Sequence, residues 1–383
     1  MSGSRVRTMT RVVHLSSVHP RYDTRIFLKQ CRSLAKAGYD VLLVVADGQG
    51  NEVKDDVAIL DVGKPISRLK RIFLTTRLLA IRAAELDADI YHLHDPELMP
   101  VGVKLKRLGK CVVFDAHEDV PRQILGKPYL GKLSRLFLSW LLRHFEGWAC
   151  KRFDAIVTAT PFIRDKFLLI NSKSVDINNF PMLGELSCDG KLEEKLSQVC
   201  YVGGITAIRG IREVISSMNQ VKTQVRLQLV GRFSEASVYK EAKNNPGWLS
   251  VDELGFQDRE GVRKTMARCI GGLVTFHPLP NHVDAQPNKM FEYMSAGIPV
   301  IASDFPLWRE IVVGNDCGLC VDPMNPESIA EAIDYLATHP EEATRMGNNG
   351  KTAVQQRYNW KHEEKKLLTL YEVLTASGAT RRQ

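Results

Sequence analysis

Val199-Cys200-Tyr201-Val202-Gly203-Gly204-Ile205-Thr206-Ala207-Ile208-Arg209-Gly210 reads as a buried strand, a glycine turn and the start of a helix. The apolar run is short and unbroken, as in a parallel strand covered on both faces. The glycines let a ligand approach the backbone closely, and the helix N-terminus behind them favours an anion. Arg209 can add a forked contact to phosphate oxygens. The spacing is neither G-x-G-x-x-G nor G-x-x-x-x-G-K-[ST], so it does not by itself point to a nicotinamide cofactor or to an NTPase. A strand-to-helix turn also needs glycine for purely structural reasons.

The same grammar repeats on both sides. Before this stretch the predicted strands are Arg11–Leu15, Val41–Val45, Asp89–Leu93, Val112–Asp115 and Ala155–Ala159; after it come Arg226–Val230, Gly272–Phe276, Pro299–Ala302 and Gly318–Val321. Helix-length segments such as Arg25–Gly38, Gly210–Val221 and Pro326–Thr338 lie between them. Strand–helix alternation with near-continuous apolar strands means parallel sheets covered by helices. The polar stretch Asn171–Ser197, broken at Pro181 and Gly184, divides the two series and reads as an interdomain connection. A length of 383 residues fits two domains, each of roughly 150–200 residues. Open α/β sheets bind ligands at their strand ends, which predicts a cleft.

Composition narrows the class. The chain is 44% hydrophobic and 25% charged, as globular proteins are. Residues 1–10 lack an apolar run and read as a loose tail, not a signal peptide. No stretch reaches the roughly 18 apolar residues of a membrane span. Of eight cysteines, Cys317 and Cys320 alone have C-x-x-C spacing. No second pair accompanies them, which argues against a zinc finger-type site and for a reducing, cytoplasmic setting.

The net charge of +8 favours anionic partners. Lys64–Arg82 carries six basic residues and no acidic one, with Leu69, Ile72, Phe73 and Ala80 near helical spacing. Lys127–Arg152 carries six basic residues against Glu146, interleaved with Leu133, Leu136, Phe137, Trp140, Leu141, Phe145 and Trp148. Basic amphipathic helices with Trp and Phe suit an anionic membrane surface; the bland alternative is a helix covering the sheet with its basic face in water. No nucleic-acid-binding signature accompanies the charge.

Two further clusters carry candidate chemistry. His92-Leu93-His94-Asp95-Pro96 and Asp115-Ala116-His117-Glu118 close neighbouring predicted strands. Residues i and i+2 point the same way, so these side chains can converge as a metal site, as a polar acceptor-binding or catalytic wall, or as plain strand-end hydrogen bonding. Asp284-Ala285-Gln286-Pro287-Asn288-Lys289 leads into a helix that ends at Gly297, before a strand through Ser303. A lysine in a first helical turn is unfavourable unless an anion binds at the same end. Glu292, a few residues inside, is either a surface residue or an acceptor for ribose hydroxyls.

Taken together, these motifs and His19-Pro20-Arg21-Tyr22-Asp23-Thr24-Arg25-Ile26-Phe27 resemble the family 4 glycosyltransferases, retaining enzymes of the GT-B fold, and within them a subgroup acting in bacterial surface polysaccharides such as lipopolysaccharide or exopolysaccharide. The likeness runs from about Val12 to Tyr371. It implies two doubly wound Rossmann-like domains facing a cleft: 11–183 for the acceptor, with a C-terminal helix at about 361–376 packed back on it, and 197–358 for the nucleotide sugar. The family's two acidic residues eight apart fall on Asp284, where Glu is usual, and on Glu292. The arginine of its glycine loop falls on Gly204, and Arg209 stands for its lysine. The resemblance thus implies His117, Arg209 and Lys289 as catalytic, and Gly203, Gly204, Asp284, Asn288, Glu292 and Phe256 on the donor. It implies Asp23, Arg25, His94, Asp95 and Glu118 on the acceptor side. A lipid-linked saccharide acceptor at the inner face of the cytoplasmic membrane is expected, with no cofactor and no required metal. A sugar-nucleotide epimerase of the same architecture and an inactive glycan-binding subunit are the alternatives.

Overall fold

The computed structural model describes residues 9–126, 130–186 and 196–380. Cys188, most of the tail at 1–10, residues 127–129 of the second basic segment and the middle of the predicted interdomain stretch lie outside the described residues.

The described strands form two sheets. The first has the order β3-β4-β2-β1-β5-β6-β7-β8: β1 Arg11–Leu15, β2 Asp40–Val45, β3 Glu52–Lys54, β4 Val57–Asp61, β5 Ile90–Leu93, β6 Cys111–Ala116, β7 Ala155–Thr158 and β8 Ser174–Asp176. The second has the order β11-β10-β9-β12-β13-β14: β9 Gln198–Val202, β10 Arg226–Val230, β11 Val251–Gly255, β12 Gly271–Val274, β13 Val300–Ser303 and β14 Gly318–Val321. All described pairings are parallel except β3 with β4. Two doubly wound parallel-sheet α/β bodies are the architecture the strand–helix alternation predicts.

Alternation along β9 explains its unbroken apolar sequence. Val199 and Tyr201 enter a core with Ile211, Val214 and Ile215 of helix Ile211–Met218. Cys200 and Val202 enter another with Met290, Phe291, Tyr293 and Met294 of helix Asn288–Ala296. The strand is sandwiched, so neither face has to be polar. Gly272 of β12 has no Cβ because the Tyr293 ring lies where one would stand, and Tyr293 Oη accepts from Val202 N at 3.0 Å. These contacts fix the Lys289 helix against the end of β9.

Four strands escaped the sequence reading. β3 is short and polar, and its turn places Asp55 and Asp56 at φ 51° and 60°, a left-handed pair more often signalled by Asn-Gly or Asp-Gly. β4 alternates only weakly, β8 has three residues inside the predicted connection, and β11 is largely exposed at its sheet's edge. The segment predicted helical from Arg25 begins as a π-helical turn, Ile26–Cys31, with Gln30 N donating to Arg25 O.

The chain divides after Asn179. One compact body holds the chain up to that residue together with the chain from His362 onward; the other is Phe180–Lys361. Phe180 already belongs to the second core, packed against Phe291 and Tyr358, so the division falls before the predicted end at 183. Among the described residues no helix is long and apolar enough to cross a membrane.

Candidate active site

In the C-terminal body the chain leaves β9 through Gly203, at φ +108°, and enters helix Ile211–Met218 through Gly210, at φ +78°. A Cβ on Gly210 would stand 1.8 Å from the Thr275 carbonyl oxygen; the loop therefore lies flat on the end of β12. Arg209 Nη1 donates to Gly204 O at 3.3 Å, and its guanidinium lies 5.5 Å from the Phe276 ring centre. Lys289, in the first turn of helix Asn288–Ala296, is 7% exposed. Its ammonium sits 3.7 Å from the Tyr201 ring centre and 5.5 Å from that of Phe276. It has no hydrogen-bond partner among the described residues. Burial pushes its pKa well below the usual 10.5, and the charge of Arg209 pushes the same way. Two cations thus share a helix-terminal site, and the buried one lacks an acceptor. An anion there supplies what both groups lack.

The other residues expected on the donor side lie in the same C-terminal body. Asn288 is the exposed first residue of the lysine's helix, and Asp284 closes the turn before it. The Trp308 indole holds that segment by donating to Ala285 O at 2.7 Å. Glu292 accepts from Arg259 Nη1 at 2.6 Å, and Arg259 Nε donates to Glu185 at 2.7 Å. Arg259 is raised above its ordinary pKa, with burial opposing and the two carboxylates outweighing it. Glu292 is therefore held in an ion pair, and a ribose hydroxyl would share it with Arg259. Phe256 is 68% exposed beside Gly255 at φ +66°, with the Arg232 guanidinium 5.0 Å from its ring centre; an aromatic face and a cation suit a nucleobase. Sequence reasoning missed Tyr201, Arg232, Arg259, Thr206 and Gln286. The last two carry buried oxygens without partners, and an unpaired buried acceptor calls for a donor.

In the N-terminal body, Arg25, Asp23 and Asp95, expected on the acceptor side, each make hydrogen bonds within that body. Arg25 is 4% exposed. It grips fully buried Asp115 through Nε at 3.0 Å and Nη2 at 2.7 Å, with Nη1 donating to Ile177 O. The π-helical turn aims Gln30 at the same carboxylate, at 2.8 Å. Burial would raise the Asp115 pKa, but Arg25 and then His117 hold it well below 3.8. Asp23 accepts from the backbone N–H groups of Arg25 and Ile26, each at 2.9 Å, and so starts that turn. Asp95 is buried and accepts from Ser16 Oγ and Ser17 N. Arg25 and Asp115 neutralise each other, and Asp23 and Asp95 are held by backbone and serine donors.

The histidines do converge. His14 and His92 are register partners on β1 and β5. His14 Nδ1 lies 2.8 Å from His94 Nε2, and His94 Nδ1 lies 3.3 Å from His117 Nε2. His94 is buried, and burial lowers its pKa to about 3. The His117 side chain is 18% exposed and Glu118 is exposed, accepting from Gln123. His117 and Glu118 are thus the cluster's solvent-facing members.

Comparison with known proteins agrees with this division. Residues 24–176 match the family described as Glycosyltransferase Family 4, and residues 186–353 match Glycosyl transferases group 1. An uncharacterized glycosyltransferase of Methanocaldococcus jannaschii is 22% identical over 56% of this chain, which spans 54% of that protein's length. The phosphatidyl-myo-inositol mannosyltransferase of Mycobacterium leprae is 23% identical over 92% of this chain and 90% of its own. Among solved structures, sucrose-phosphate synthase from Thermosynechococcus elongatus superposes with TM-score 0.77 at 18% identity, covering 96% of this chain and all of that one. Anabaena HepE, solved with UDP and glucose, gives 0.73 at 15% identity over 95% of this chain and all of its own. At such identities these structural likenesses carry the fold. This chain is built of a Glycosyltransferase Family 4 domain followed by a Glycosyl transferases group 1 domain, and has the GT-B fold of glycosyltransferases.

Proposed function

We propose that the protein is a retaining glycosyltransferase that moves a sugar from a nucleoside-diphosphate sugar to a lipid-linked saccharide in bacterial polysaccharide synthesis, working from the inner face of the cytoplasmic membrane. The observation that carries the donor assignment is the buried, unpartnered Lys289 ammonium beside Arg209. The diphosphate lies against these two cations and the amide groups of the helix start. Glu292 meets the ribose, Phe256 the base, and Asp284 and Gln286 the sugar. As the C1–O bond to the diphosphate breaks, negative charge grows on the leaving phosphate, where fixed cations lower the barrier most. The acceptor oxygen bonds to C1 on the same face and its proton passes to the leaving phosphate oxygen. His117 and Glu118 serve on the acceptor side. Because Arg209 and Lys289 supply the positive charge, the leaving group needs no metal ion.

Membrane docking rests on two helical segments. Helical structure runs from Arg68 to Leu86 and from Lys132 to Cys150. Both turn large apolar side chains to solvent, among them Leu69, Phe73, Leu133, Phe137 and Trp140.

UDP and UDP-glucose are the first ligands to test, because a structural neighbour was solved with UDP and glucose. Calorimetry should show binding that Lys289→Ala weakens at least ~10-fold, the loss of one charge-assisted contact. Equal affinity in the variant would remove the diphosphate assignment. Incubation with a sugar nucleotide alone separates the epimerase: an isomeric sugar nucleotide would replace the transfer reading.

A further inference from the structure

Thr275, Phe276 and His277 follow β12 and support the loop Gly203–Gly210. Thr275 O meets Gly210, where a Cβ would stand 1.8 Å away. Phe276 is anchored on the sheet, its carbonyl accepting from Ser303 Oγ of β13 at 2.7 Å. Its ring centre lies 5.5 Å from the Arg209 guanidinium and 5.5 Å from the Lys289 ammonium. His277 makes two contacts with the loop and its helix. Its backbone N–H donates to Ile208 O at 3.0 Å. Its Nε2 lies 3.0 Å from Glu213 Oε2, in the first turn of helix Ile211–Met218. One residue thus holds the chain on both sides of Arg209.

The second contact is one of charge. The two side chains are 17% and 15% exposed, and neither Nε2 nor Oε2 has a hydrogen-bond partner among the described residues. An acidic residue in a first helical turn is favourable by itself, but a largely buried carboxylate is costly without a counter-charge. A cationic imidazole supplies one. Burial would raise the Glu213 pKa, and His277 holds it below the usual 4.5.

Arg209 depends on that hold. Among the described residues its guanidinium makes one hydrogen bond, a long one to Gly204 O at 3.3 Å. Its aim therefore follows the backbone from which it rises. His282 braces the same support: its Nδ1 donates to His277 O at 3.0 Å, and its ring centre lies 5.1 Å from that of Phe276.

We propose that Glu213 and His277 are a positioning pair whose contact holds the loop onto the end of β12 and so aims Arg209 at the donor diphosphate. Both act through Arg209 and not on the ligand. The inference rests on the diphosphate reading of Arg209 and Lys289 and adds to it two residues that the motifs do not point to.

Calorimetry on the full chain, with whichever of UDP and GDP binds more tightly, tests this by a double-mutant cycle. Glu213→Gln and His277→Gln should each weaken binding about 5-fold, and the two together no more than either alone, as for residues in one network. In an Arg209→Ala background the same changes should alter affinity by less than about 2-fold, the usual limit of additivity error. A residue that merely stabilises the body would cost the same with or without Arg209. Circular dichroism checks each fold, and His277→Asn replaces His277→Gln if that variant is unfolded. Glu213→Gln without effect while Arg209→Ala weakens binding, or an equal loss in both backgrounds, would overturn the pair's role and leave the diphosphate reading standing. Arg209→Ala that binds as tightly as the wild type would bring down that reading and the pair's role with it.

Discussion

An ammonium enclosed by Tyr201 and Phe276 without an acceptor is costly to keep charged. Burial, then Arg209, lowers the Lys289 pKa well below 10.5. Between the lowered value and the ordinary one the unfolded chain binds the extra proton, so this residue's contribution to stability rises with pH. Donor binding has the opposite sign. A diphosphate restores the charge, so the complex takes up a proton, and affinity falls as pH rises through the lowered value. Heats of UDP binding should therefore depend on the ionisation enthalpy of the buffer, and Lys289→Met should abolish that dependence; buffer-independent heats would show that the lysine is already charged. Arg209→Ala should lower turnover about 10²-fold, as loss of one preorganised transition-state contact does, measured as product formed at saturating donor. Lys289 and Arg209 were legible because each sits at a turn or helix start whose local sequence declares it, and Glu292 because it falls eight residues after Asp284. Arg259 and Tyr201 were not, because nothing local tells a helix-start arginine or a strand tyrosine that faces a ligand from one that merely packs. For Arg25 and Asp95 the sequence leaves the surroundings open: a charged residue near a strand end reads the same whether it meets solvent or a buried partner, and here Arg25 meets the Asp115 carboxylate and Asp95 the Ser17 amide.

At the level of elements, the loop Gly203–Gly210 works by how flat it lies. Gly210→Ala would demand a left-handed backbone from alanine and drive its Cβ into the Thr275 carbonyl. A loss of at least ~2 kcal/mol follows from strain and overpacking together. The melting temperature should drop and UDP affinity should weaken, since Arg209 is the adjacent residue; an unchanged melting curve would mean that the loop can lift without cost. The two basic helical segments make a different kind of prediction. Phe73 is 73% exposed and Trp140 is 55% exposed, although an ordinary sheet-covering helix would turn them inward. On the inner face of the second segment, Lys166 bridges Glu146 at 2.5 Å and Asp119 at 3.0 Å. That pairing keeps the apolar face turned outward. Flotation with vesicles rich in anionic lipid should be strong at low salt. It should fall when Arg68, Lys70, Arg77 and Lys132, Arg135, Arg143 are neutralised, each charge near the surface being worth about 1 kcal/mol. Flotation unchanged by neutralisation would remove the docking surface. The basic and apolar interleaving was readable from the sequence; the direction in which the apolar side faces was not, because periodicity defines a face without saying what covers it.

At the scale of the whole molecule, the N-terminal body is discontinuous in sequence, which a linear reading of strand series does not reveal. The chain returns to it in helix Trp360–Thr380. Leu367, Tyr371 and Leu374 are buried there. Tyr371 Oη lies 2.8 Å from His92 Nδ1. Glu363 accepts from Asn178 N at 2.7 Å, and Lys366 pairs with Asp176 of β8 at 2.9 Å. Removing this helix strips an apolar cover from the sheet and leaves His92 with neither ring nitrogen paired, since Nε2 has no partner already. Unpaired buried groups cost about 1–3 kcal/mol each, and each lost large apolar side chain adds about 2–5 kcal/mol. Their sum rivals the stability of a whole domain, roughly 5–15 kcal/mol. A chain ending at Lys361 should therefore lose amide hydrogen-exchange protection throughout β1, β5, β6 and β8. Protection in β9, β10, β12 and β13 should persist, because their cores are closed by residues within Phe180–Lys361. Tyr371→Phe is the milder control: it keeps the packing, breaks the link to His92, and should lower protection near β5 by about the cost of one buried hydrogen bond. Full protection of β5 and β6 in the shortened chain would show that the sheet closes without its returning helix.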